Sequence, residues 1–379
     1  ARALDEGSDW KRTRGLCYIS SNPIDKYIAL PSFEEVSADR NSFMRMTKLF
    51  HSKIDDTDAG FLQKHGGRFL IHNPPQPAPS TEELDEMSDL GFEYGVHPFC
   101  NTGEVRALET IKQSITTHRG CFGGCNFCSI AVHQGQRVIS RSMRSIIDEA
   151  ARIAKKPGFN GIIYDIGGPT ANMYGATCDK GWRCAEKHCL MPQICPSLKF
   201  GHKEQMELLG ELMKIQNVKR IFISSGIRHD MVVADREHGA RYIERLVKHH
   251  VSGQLKLAPE HCENEVLKLM NKPDTASLLK FKSMFDSACS GSGRQCFLTY
   301  YIIAAHPGCT MRHMQELRDF MSQELHLIPE QVQIFTPTPS TISTAMYCCG
   351  TDTSGKGIFC ERSLKGMQQQ KDVLKKRRQ

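Results

Sequence analysis

Hydrophobic and polar positions change their pattern at about residue 112 of this 379-residue chain. From there on, short runs of β-branched and aromatic residues alternate with longer segments whose apolar residues recur at helical spacing. The strand candidates are residues 114–117, 161–166, 220–224, 254–257, 297–304 and 332–335. The helix candidates are residues 143–155, 203–215, 240–250, 263–270, 275–288 and 311–324. Strands that alternate with helices in this way predict a parallel sheet with right-handed crossovers.

Six β-α units are too few for the complete eightfold barrel. We therefore predict an α/β fold in the form of a partial (β/α)6 TIM-like barrel with an N-terminal extension, and a doubly wound sheet is the alternative. In either fold, reactive groups belong at the carboxyl ends of the strands. The predicted domains are an N-terminal accessory region at 1–110, a core barrel at 111–345 and a C-terminal extension with a basic tail at 346–379.

The first 110 residues show no regular alternation and are predicted to be irregular, with one exception. A capped helix is predicted for residues 80–90, where Ser80 precedes two glutamates of the first turn. The chain begins with Ala1 rather than Met, which we interpret as a processed or truncated N-terminus. At the other end, residues 371–379 are predicted to form a solvated or disordered tail.

The cysteine content is the main departure from ordinary composition. The chain has 16 cysteines, is too large for a small disulfide scaffold and shows no signal peptide. We therefore expect a cytoplasmic protein whose cysteines are metal ligands or buried small side chains. No apolar run approaches the ~20 residues of a membrane helix, so no membrane is expected. The net charge of +7 is compatible with nucleic acid but does not support it.

Three cysteines lie on one short loop after the first predicted core strand. Cys121, Cys125 and Cys128 form a C-x3-C-x2-C run with Phe127 before the last cysteine. Three thiolates can hold three corners of an iron–sulfur cubane, which usually has four protein ligands, and so leave one iron open for chemistry. The alternatives are three buried thiols or a partial zinc site, although zinc motifs usually pair C-x2-C units and close with four ligands.

A second group of cysteines follows the second predicted strand. Cys178, Cys184, Cys189 and Cys195 fall within 18 residues, among the positive or polar side chains of Lys180, Arg183, Lys187 and His188. Four thiolates can fully ligate an auxiliary [4Fe-4S] cluster or a zinc ion, or remain unligated. The lack of a C-x2-C unit argues against zinc.

The three-cysteine run on this β-α series resembles the radical S-adenosylmethionine (SAM) enzymes. A closer resemblance, to the YgiQ-type radical SAM proteins, rests on residues 17–20, 30–36, 63–66, 119–128, 167–172, 258–261, 306–310 and 336–339. These segments extend over nearly the whole chain. Members of that family usually carry a further N-terminal region, so the resemblance also implies a fragment.

The resemblance implies a radical SAM barrel with two cofactors. A [4Fe-4S] cluster would sit on Cys121, Cys125 and Cys128, and the amino and carboxylate groups of SAM would chelate its open iron. Reductive cleavage would give methionine and a 5′-deoxyadenosyl radical that takes a hydrogen from an unknown substrate. An electron donor of the flavodoxin or ferredoxin type is expected. The group of four cysteines adds a candidate second iron–sulfur cluster.

The resemblance also implies positions for SAM at the strand ends, while the catalytic residues toward the substrate stay unassigned. Pro169 and Thr170 replace the acidic ending of the usual Gly-Gly-Glu-like motif, and a tight turn is the alternative there. Arg228 is expected to pair with the SAM carboxylate, or else to form a surface ion pair. Glu260 is expected near the ribose, with Lys256 as its ion-pair partner in the alternative reading. The cofactor-binding candidates are Phe127, Gly167, Gly168, Pro169, Thr170, Ser225, Arg228 and Glu260.

Two other classes of function remain open at this point. One is non-catalytic, either an iron–sulfur electron carrier or a zinc-stabilised binding module. The other is a more specific form of the radical SAM prediction, an RNA-modifying enzyme. The mildly basic net charge points in this direction.

Overall fold

The computed structural model describes residues 2–54, 56–97, 99–100, 105, 108, 111–182, 184, 188–327, 329 and 331–375. The strands are β1 (Cys17–Ser20), β2 (Ile28–Leu30), β3 (Phe61–His65), β4 (Arg68–His72), β5 (Ser114–Thr116), β6 (His118–Arg119), β7 (Ile139–Ser140), β8 (Ile162–Ile163), β9 (Asp165–Gly167), β10 (Thr177–Cys178), β11 (Leu198–Lys199), β12 (Arg220–Ile221), β13 (Gln254–Glu260), β14 (Phe297–Ala304) and β15 (Gln331–Ile334). The helices are α1 (Arg2–Asp5), α2 (Phe33–Ala38), α3 (Arg40–Lys53), α4 (Thr81–Ser88), α5 (Ile130–Gln134), α6 (Met143–Ala154), α7 (Lys203–Leu212), α8 (His229–Ala234), α9 (Gly239–Arg245), α10 (Asn264–Met270), α11 (Thr275–Ser292), α12 (Met311–Gln323), α13 (Ile342–Cys349) and α14 (Leu364–Val373). Short 3-10 turns lie at Trp10–Arg12 and Ala171–Met173, and a π-helical turn at Leu246–His250 continues α9.

The core strands follow one another in space in the order of the sequence. β5 pairs with β9, β8 pairs with β12, and β13, β14 and β15 form a three-stranded sheet, all in parallel. A parallel bridge between Ile227 and Leu257 joins the third strand position to β13. Within the described residues, β5 and β15 do not pair with each other, so the barrel is open. The predicted α/β fold, a partial barrel with a parallel sheet, is confirmed.

The barrel core combines the apolar faces of the helices with the inner positions of the strands. In α6, Ile146, Ala150 and Ile153 recur every three to four residues and are almost fully buried. β14 alternates between buried and more exposed positions along its length. This packing fixes the carboxyl ends of the strands, where the cysteine loop and its neighbours lie.

Two predicted strands are shorter in the structure than in the sequence pattern. The predicted strand at 161–166 is divided at Tyr164 into β8 and β9, and the one at 220–224 is regular only in β12, although Phe222 still bonds to Ile163 and Ile166. At the end of the second strand, a side chain replaces a strand partner, because the backbone N–H groups of Ser224 and Ser225 donate to the carboxylate of Asp165. In contrast, β13 continues past its predicted end to Glu260 through a bulge.

The prediction of an irregular N-terminal region is wrong. β1 to β4 form a four-stranded sheet in the order β1-β4-β3-β2. Along the chain, α2 and α3 connect β2 to β3. β3 and β4 are joined through Gly66-Gly67, a two-residue hairpin loop between apolar runs. That dipeptide is the signal by which the sheet could have been predicted. The predicted capped helix is confirmed as α4, since Ser80 and Glu83 form a reciprocal capping box.

The C-terminal part is more ordered than predicted. α14 extends to Val373, and the following Leu374 is buried, so residues 371–374 are not a solvated tail. The end of the predicted basic tail, residues 376–379, lies outside the described residues. α13 runs across the predicted domain boundary at 345/346. The division into 1–110, 111–345 and 346–379 stays a prediction.

A bilayer-spanning helix would have to be long and apolar. None of the helices in the described part of the chain meets both requirements.

Candidate functional site

The three-cysteine loop follows β6 and is anchored from outside by the end of α10. The backbone N–H of Asn126 donates to the carbonyl of Met270 at 3.0 Å, and its side-chain amide donates to Leu269 at 2.9 Å. In return, the side chain of Asn271 donates to the carbonyl of Gly124 at 2.7 Å. These bonds join the loop to a segment more than 140 residues away in sequence. The fold therefore ties this loop to the end of α10.

Glycines let the thiols approach one another within this loop. A Cβ on Gly123 would lie 3.3 Å from the sulfur of Cys121 and 3.9 Å from that of Cys125, so both thiols border the same small residue. The N–H of Cys128 donates to the carbonyl of Cys125 at 3.1 Å, which closes the second half of the run. The structure thus brings together the three predicted cluster ligands on one turn of chain.

Two thiols of this loop, those of Cys121 and Cys128, hold their protons more tightly than a free cysteine does. Burial raises the pKa of the Cys121 thiol, and it raises the pKa of Cys128 to about 11, where the neighbouring thiols and Glu260 add to the effect. Metal ligation requires thiolates, so loading the loop must release protons. Within the described residues, no three His, Cys, Asp or Glu side chains are already arranged around a single metal ion. The donor set, three sulfurs on a glycine-bearing loop, fits an iron–sulfur cluster with one open iron.

Arg228 is buried directly beside the thiols. Its Nη1 donates toward the sulfur of Cys125 at 3.7 Å, while Nε and Nη2 bind both oxygens of Asp230 at 2.8 and 2.6 Å. Burial opposes charge on Asp230, but Arg228 prevails and holds the pKa of that carboxyl well below its usual range. The side chain of Asn172 fixes the arginine backbone, accepting from its N–H and donating to its carbonyl.

This geometry changes the expectation for Arg228. Arg228 does form an ion pair, as in the alternative, but not at the surface. Both side chains of the pair are about nine-tenths buried. The bidentate face of the guanidinium is occupied by Asp230, which leaves Nη1 directed at the cysteine loop. Asp230 and Asn172 are site residues that the sequence analysis missed, since nothing in their local sequence marks them.

The Gly-Gly-Pro-Thr segment borders the cysteine loop at the end of β9. The hydroxyl of Thr170 lies 3.5 Å from the sulfur of Cys121. A Cβ on Gly168 would come within 2.5 Å of the buried His118 ring, so this glycine permits close packing. Gly167 meets the side chain of Ser225 in the same way. The predicted SAM role of Gly167, Gly168, Pro169 and Thr170 stays a prediction, but the segment lies where that role requires it.

Ser225 is held by an aspartate of the neighbouring strand. Its hydroxyl donates to the carboxylate of Asp165, and its N–H donates to the same side chain at 3.0 Å. The hydroxyl hydrogen of Ser225 is therefore used in the bond to Asp165. The hydroxyl oxygen can still accept a hydrogen bond. Asp165 is another neighbour that the sequence analysis did not identify.

Glu260 ends β13 in a strained and buried position. Its φ is +71°, in the left-handed region that non-glycine residues rarely adopt, and its side chain is 7% exposed. Burial raises the pKa of its carboxyl to about 7, against the opposing effect of Lys272 and Arg228. Lys272, whose ammonium donates to the carbonyl of Ala258 at 2.5 Å, is the nearby cation rather than the expected Lys256.

Phe127 lies between the cysteine loop and the barrel core. Its ring packs against the core and meets the ring of His306 edge-on, with centroids 6.2 Å apart. His306 is fully buried and bonded at both ring nitrogens, to the carbonyl of Pro307 at 2.9 Å and to the hydroxyl of Ser343 at 2.7 Å. The contacts of Phe127 are those of a packing residue under the loop, and its binding role stays a prediction.

The second group of cysteines lines one cavity of about 560 Å³. Cys178, Cys184, Cys189 and Cys195 all border it, together with Trp182. Burial raises the pKa of Cys189 to about 11, and the other three thiols add to the effect. Lys180 and His188 also line the cavity, whereas Arg183 and Lys187 lie outside the described residues. The structure therefore brings the four predicted thiols together.

A β-α series with a three-cysteine loop at its carboxyl edge defines a class of cluster-bearing enzymes, and comparison with known families agrees. The family described as "Radical SAM superfamily" matches residues 115–321, and "Radical SAM N-terminal" matches residues 1–114. The chain belongs to the radical SAM superfamily. The predictions of the family and of a radical SAM enzyme as the class are confirmed.

Curated relatives extend the match over nearly the whole chain. A UPF0313 protein of Fusobacterium nucleatum is 47% identical over all of this chain and 68% of its own length. UPF0313 proteins of Thermotoga neapolitana and Methanosarcina mazei are 43% and 39% identical, over 94% and 92% of this chain. The chain spans 63% and 56% of those two relatives, so it corresponds to roughly two thirds or less of the proteins it matches.

Solved structures with a similar fold are distant. The radical SAM methyltransferase TsrM of Kitasatospora setae, solved with cobalamin and a [4Fe-4S] cluster, is 15% identical with a TM-score of 0.46, over 82% of this chain and 56% of its own. The cobalamin-dependent SAM radical enzyme OxsB is 11% identical with a TM-score of 0.42, over 81% and 45%.

Proposed function

We propose that this chain cleaves SAM reductively at a [4Fe-4S] cluster held by Cys121, Cys125 and Cys128. The observation that carries the proposal is the cysteine loop itself, which the fold anchors at the carboxyl edge of an open radical SAM barrel. When bound, such a cluster supplies one electron to SAM, which breaks into methionine and a 5′-deoxyadenosyl radical able to take a hydrogen from a substrate.

The chain's own groups bind and orient the cofactors. The three thiols ligate iron after releasing their protons, and Arg228 places a buried positive charge beside Cys125. The carbonyls of Gly168 and Pro169 offer acceptors for the SAM ammonium near Cys121, which compensates for the missing acidic side chain, whereas the carbonyl of Gly167 already accepts from Thr117. Ser225 and Glu260 supply acceptors at the neighbouring strand ends, with Glu260 toward the ribose hydroxyls.

Exclusion of water is the second task of the site. His118, Phe122 and Glu260 are all buried around the loop. A buried surround keeps solvent away from a reactive radical. A one-electron donor of the flavodoxin or ferredoxin type completes the proposed partners.

We also propose that the second group of thiols binds a metal centre. Four thiols bordering one cavity support this proposal. An iron–sulfur cluster is favoured over zinc because the loop contains no C-x2-C unit.

Formation of 5′-deoxyadenosine tests the proposed activity. The chain is reconstituted anaerobically with iron and sulfide, then given dithionite and SAM, and we expect 5′-deoxyadenosine and methionine in equal amounts. The variant Cys125→Ala is expected to abolish the product, whereas Cys17→Ser, a change at an exposed cysteine outside both cysteine groups, should retain it. A fully loaded cluster that leaves SAM intact would favour an electron carrier and contradict the proposal.

A further inference from the structure

We infer that Cys178, Cys184, Cys189 and Cys195 hold a second [4Fe-4S] cluster that relays electrons to the cluster at the three-cysteine loop. This inference rests on the proposed function, because the relayed electron is the one that SAM cleavage consumes. It assigns to the four-cysteine loop a role in electron supply rather than in substrate binding.

The four-cysteine loop is closed at both ends by backbone bonds. Cys178 lies on β10, opposite Leu198 of β11, so the two arms of the loop are paired as a short ribbon. Within it, the N–H of Cys195 donates to the carbonyl of Cys189 at 2.9 Å, and the N–H of Leu198 donates to Cys195 at 3.0 Å. These bonds hold the thiols at the rim of one cavity.

The number and spacing of the thiols favour a saturated cluster. A zinc ion requires four sulfurs at about 2.3 Å from one point. The four thiols border a cavity of about 560 Å³, which is more room than a single ion takes up. Four thiolates occupy all four irons of a cubane, so no iron remains open to a substrate. Electron transfer is the chemistry that such a centre retains.

The two cysteine loops are neighbours. The cavity bordered by Cys125 and Cys128 and the cavity of the four thiols share the walls made by Ile54, Val132, Gln136 and His188.

An aromatic contact bridges the two loops as well. Phe122, next to Cys121, stacks on Trp182 of the four-cysteine loop with ring centroids 5.7 Å apart. Both rings belong to one apolar cluster, which also includes Cys121, Cys189 and Cys195. Packed side chains therefore connect the three-cysteine loop to the four-cysteine loop.

The relay step makes and breaks no covalent bond. A flavodoxin- or ferredoxin-type donor loses one electron to the centre at 178–195. That centre returns to its oxidised state as it reduces the cluster at 121–128, and SAM cleavage finally takes the electron up.

Iron content separates the two sites. After anaerobic reconstitution, we expect about eight irons per chain in the wild type. About four are expected in the variant Cys121→Ala/Cys125→Ala/Cys128→Ala, and about four in Cys189→Ser/Cys195→Ser. The control Cys17→Ser should hold as much iron as the wild type.

The triple variant tests for the second cluster even if the double variant fails to fold. It should show the EPR signal of a reduced cluster that does not respond to SAM, since the protein ligates every iron. No iron in the triple variant, or zinc in place of the second set of irons, overturns the second cluster.

The choice of reductant tests the relay. With a reduced flavodoxin as donor, the variant Cys189→Ser/Cys195→Ser should reduce its SAM-binding cluster at least tenfold more slowly than the wild type. With dithionite, a small reductant that diffuses to buried sites, it should still form 5′-deoxyadenosine. Equal rates of reduction by flavodoxin in both proteins overturn the relay.

These experiments distinguish failure of the proposed function from failure of the second cluster. A wild type with about eight irons that does not cleave SAM contradicts the proposed function, while its iron content still supports the second cluster.

Discussion

At the residue scale, the site divides into groups that the sequence reveals and groups that only the fold reveals. The three thiols lie within eight residues, so their shared chemistry is readable from spacing. Arg228 reaches Cys125 from 103 residues away, and its partner Asp230 has no motif around it. The same is true of Lys272, which replaces Lys256 as the cation near Glu260. These contacts arise from packing between segments that are far apart in sequence, so no local sequence pattern predicts them.

Glu260 links the site to stability because its carboxyl is buried. Burial raises its pKa from 4.5 to about 7, although Lys272 and Arg228 act in the other direction. The folded protein thus holds this proton more tightly than the unfolded chain does. The stabilising contribution is therefore complete at pH values below the unfolded pKa, and it is lost as the pH rises through about 7.

The variant Glu260→Gln removes this titration. Between about pH 5 and pH 8, we expect the free energy of unfolding of the wild type to fall by about 2–3 kcal/mol more than that of the variant, since one pKa unit corresponds to about 1.4 kcal/mol. Urea unfolding of both proteins without metal, at several pH values, measures the difference. Parallel pH profiles of the two proteins would contradict the assigned burial of this carboxyl.

At the scale of elements, long and uniform segments were predictable and short ones were not. β14 has the predicted bounds, because most of its eight residues are β-branched or aromatic. The N-terminal sheet was missed because its strands are three to five residues long, and only the Gly66-Gly67 hairpin marks them. After β12, Asp165 accepts from the N–H groups of Ser224 and Ser225 in place of a strand partner. Side chains that replace ladder partners leave no periodic signal.

The last helix, α14, contributes one buried amide to the barrel. Gln370 is 1% exposed, accepts from the N–H of Ala305 at 3.0 Å and donates to the carbonyl of Cys309 at 3.2 Å. Ala305 has a φ of +60°, so its peptide cannot continue the strand ladder and depends on this side chain. α14 therefore completes the hydrogen bonding at the end of β14.

Replacement of Gln370 by alanine leaves both backbone groups without their partner. We expect Gln370→Ala to lower the free energy of unfolding by about 1–3 kcal/mol, the range for buried polar groups that lose a hydrogen bond. Gln369→Ala, a change at the exposed neighbouring position of the same helix, should alter it by less than about 0.5 kcal/mol. Thermal or urea unfolding of the two variants gives the comparison, and equal effects would argue against the role of Gln370.

At the scale of the whole molecule, the N-terminal region and the barrel build the site together. α3 packs against α13, and Met44 joins Ala345 and Met346 in one apolar cluster. The same helix carries Lys48 to the cavity that Cys125 and Cys128 border. Residues matched by the N-terminal family therefore contribute a wall beside the cysteine loop, and the barrel is not the sole source of the site.

The measurement that tests the central claim most directly is the EPR spectrum of the reduced, reconstituted chain with and without SAM. Three thiol ligands leave one iron open, so we predict that SAM shifts the signal of one cluster per chain. The variant Cys125→Ala should lack that response. A reduced cluster whose spectrum SAM leaves unchanged would contradict the assignment of Cys121, Cys125 and Cys128 as a SAM-binding cluster site.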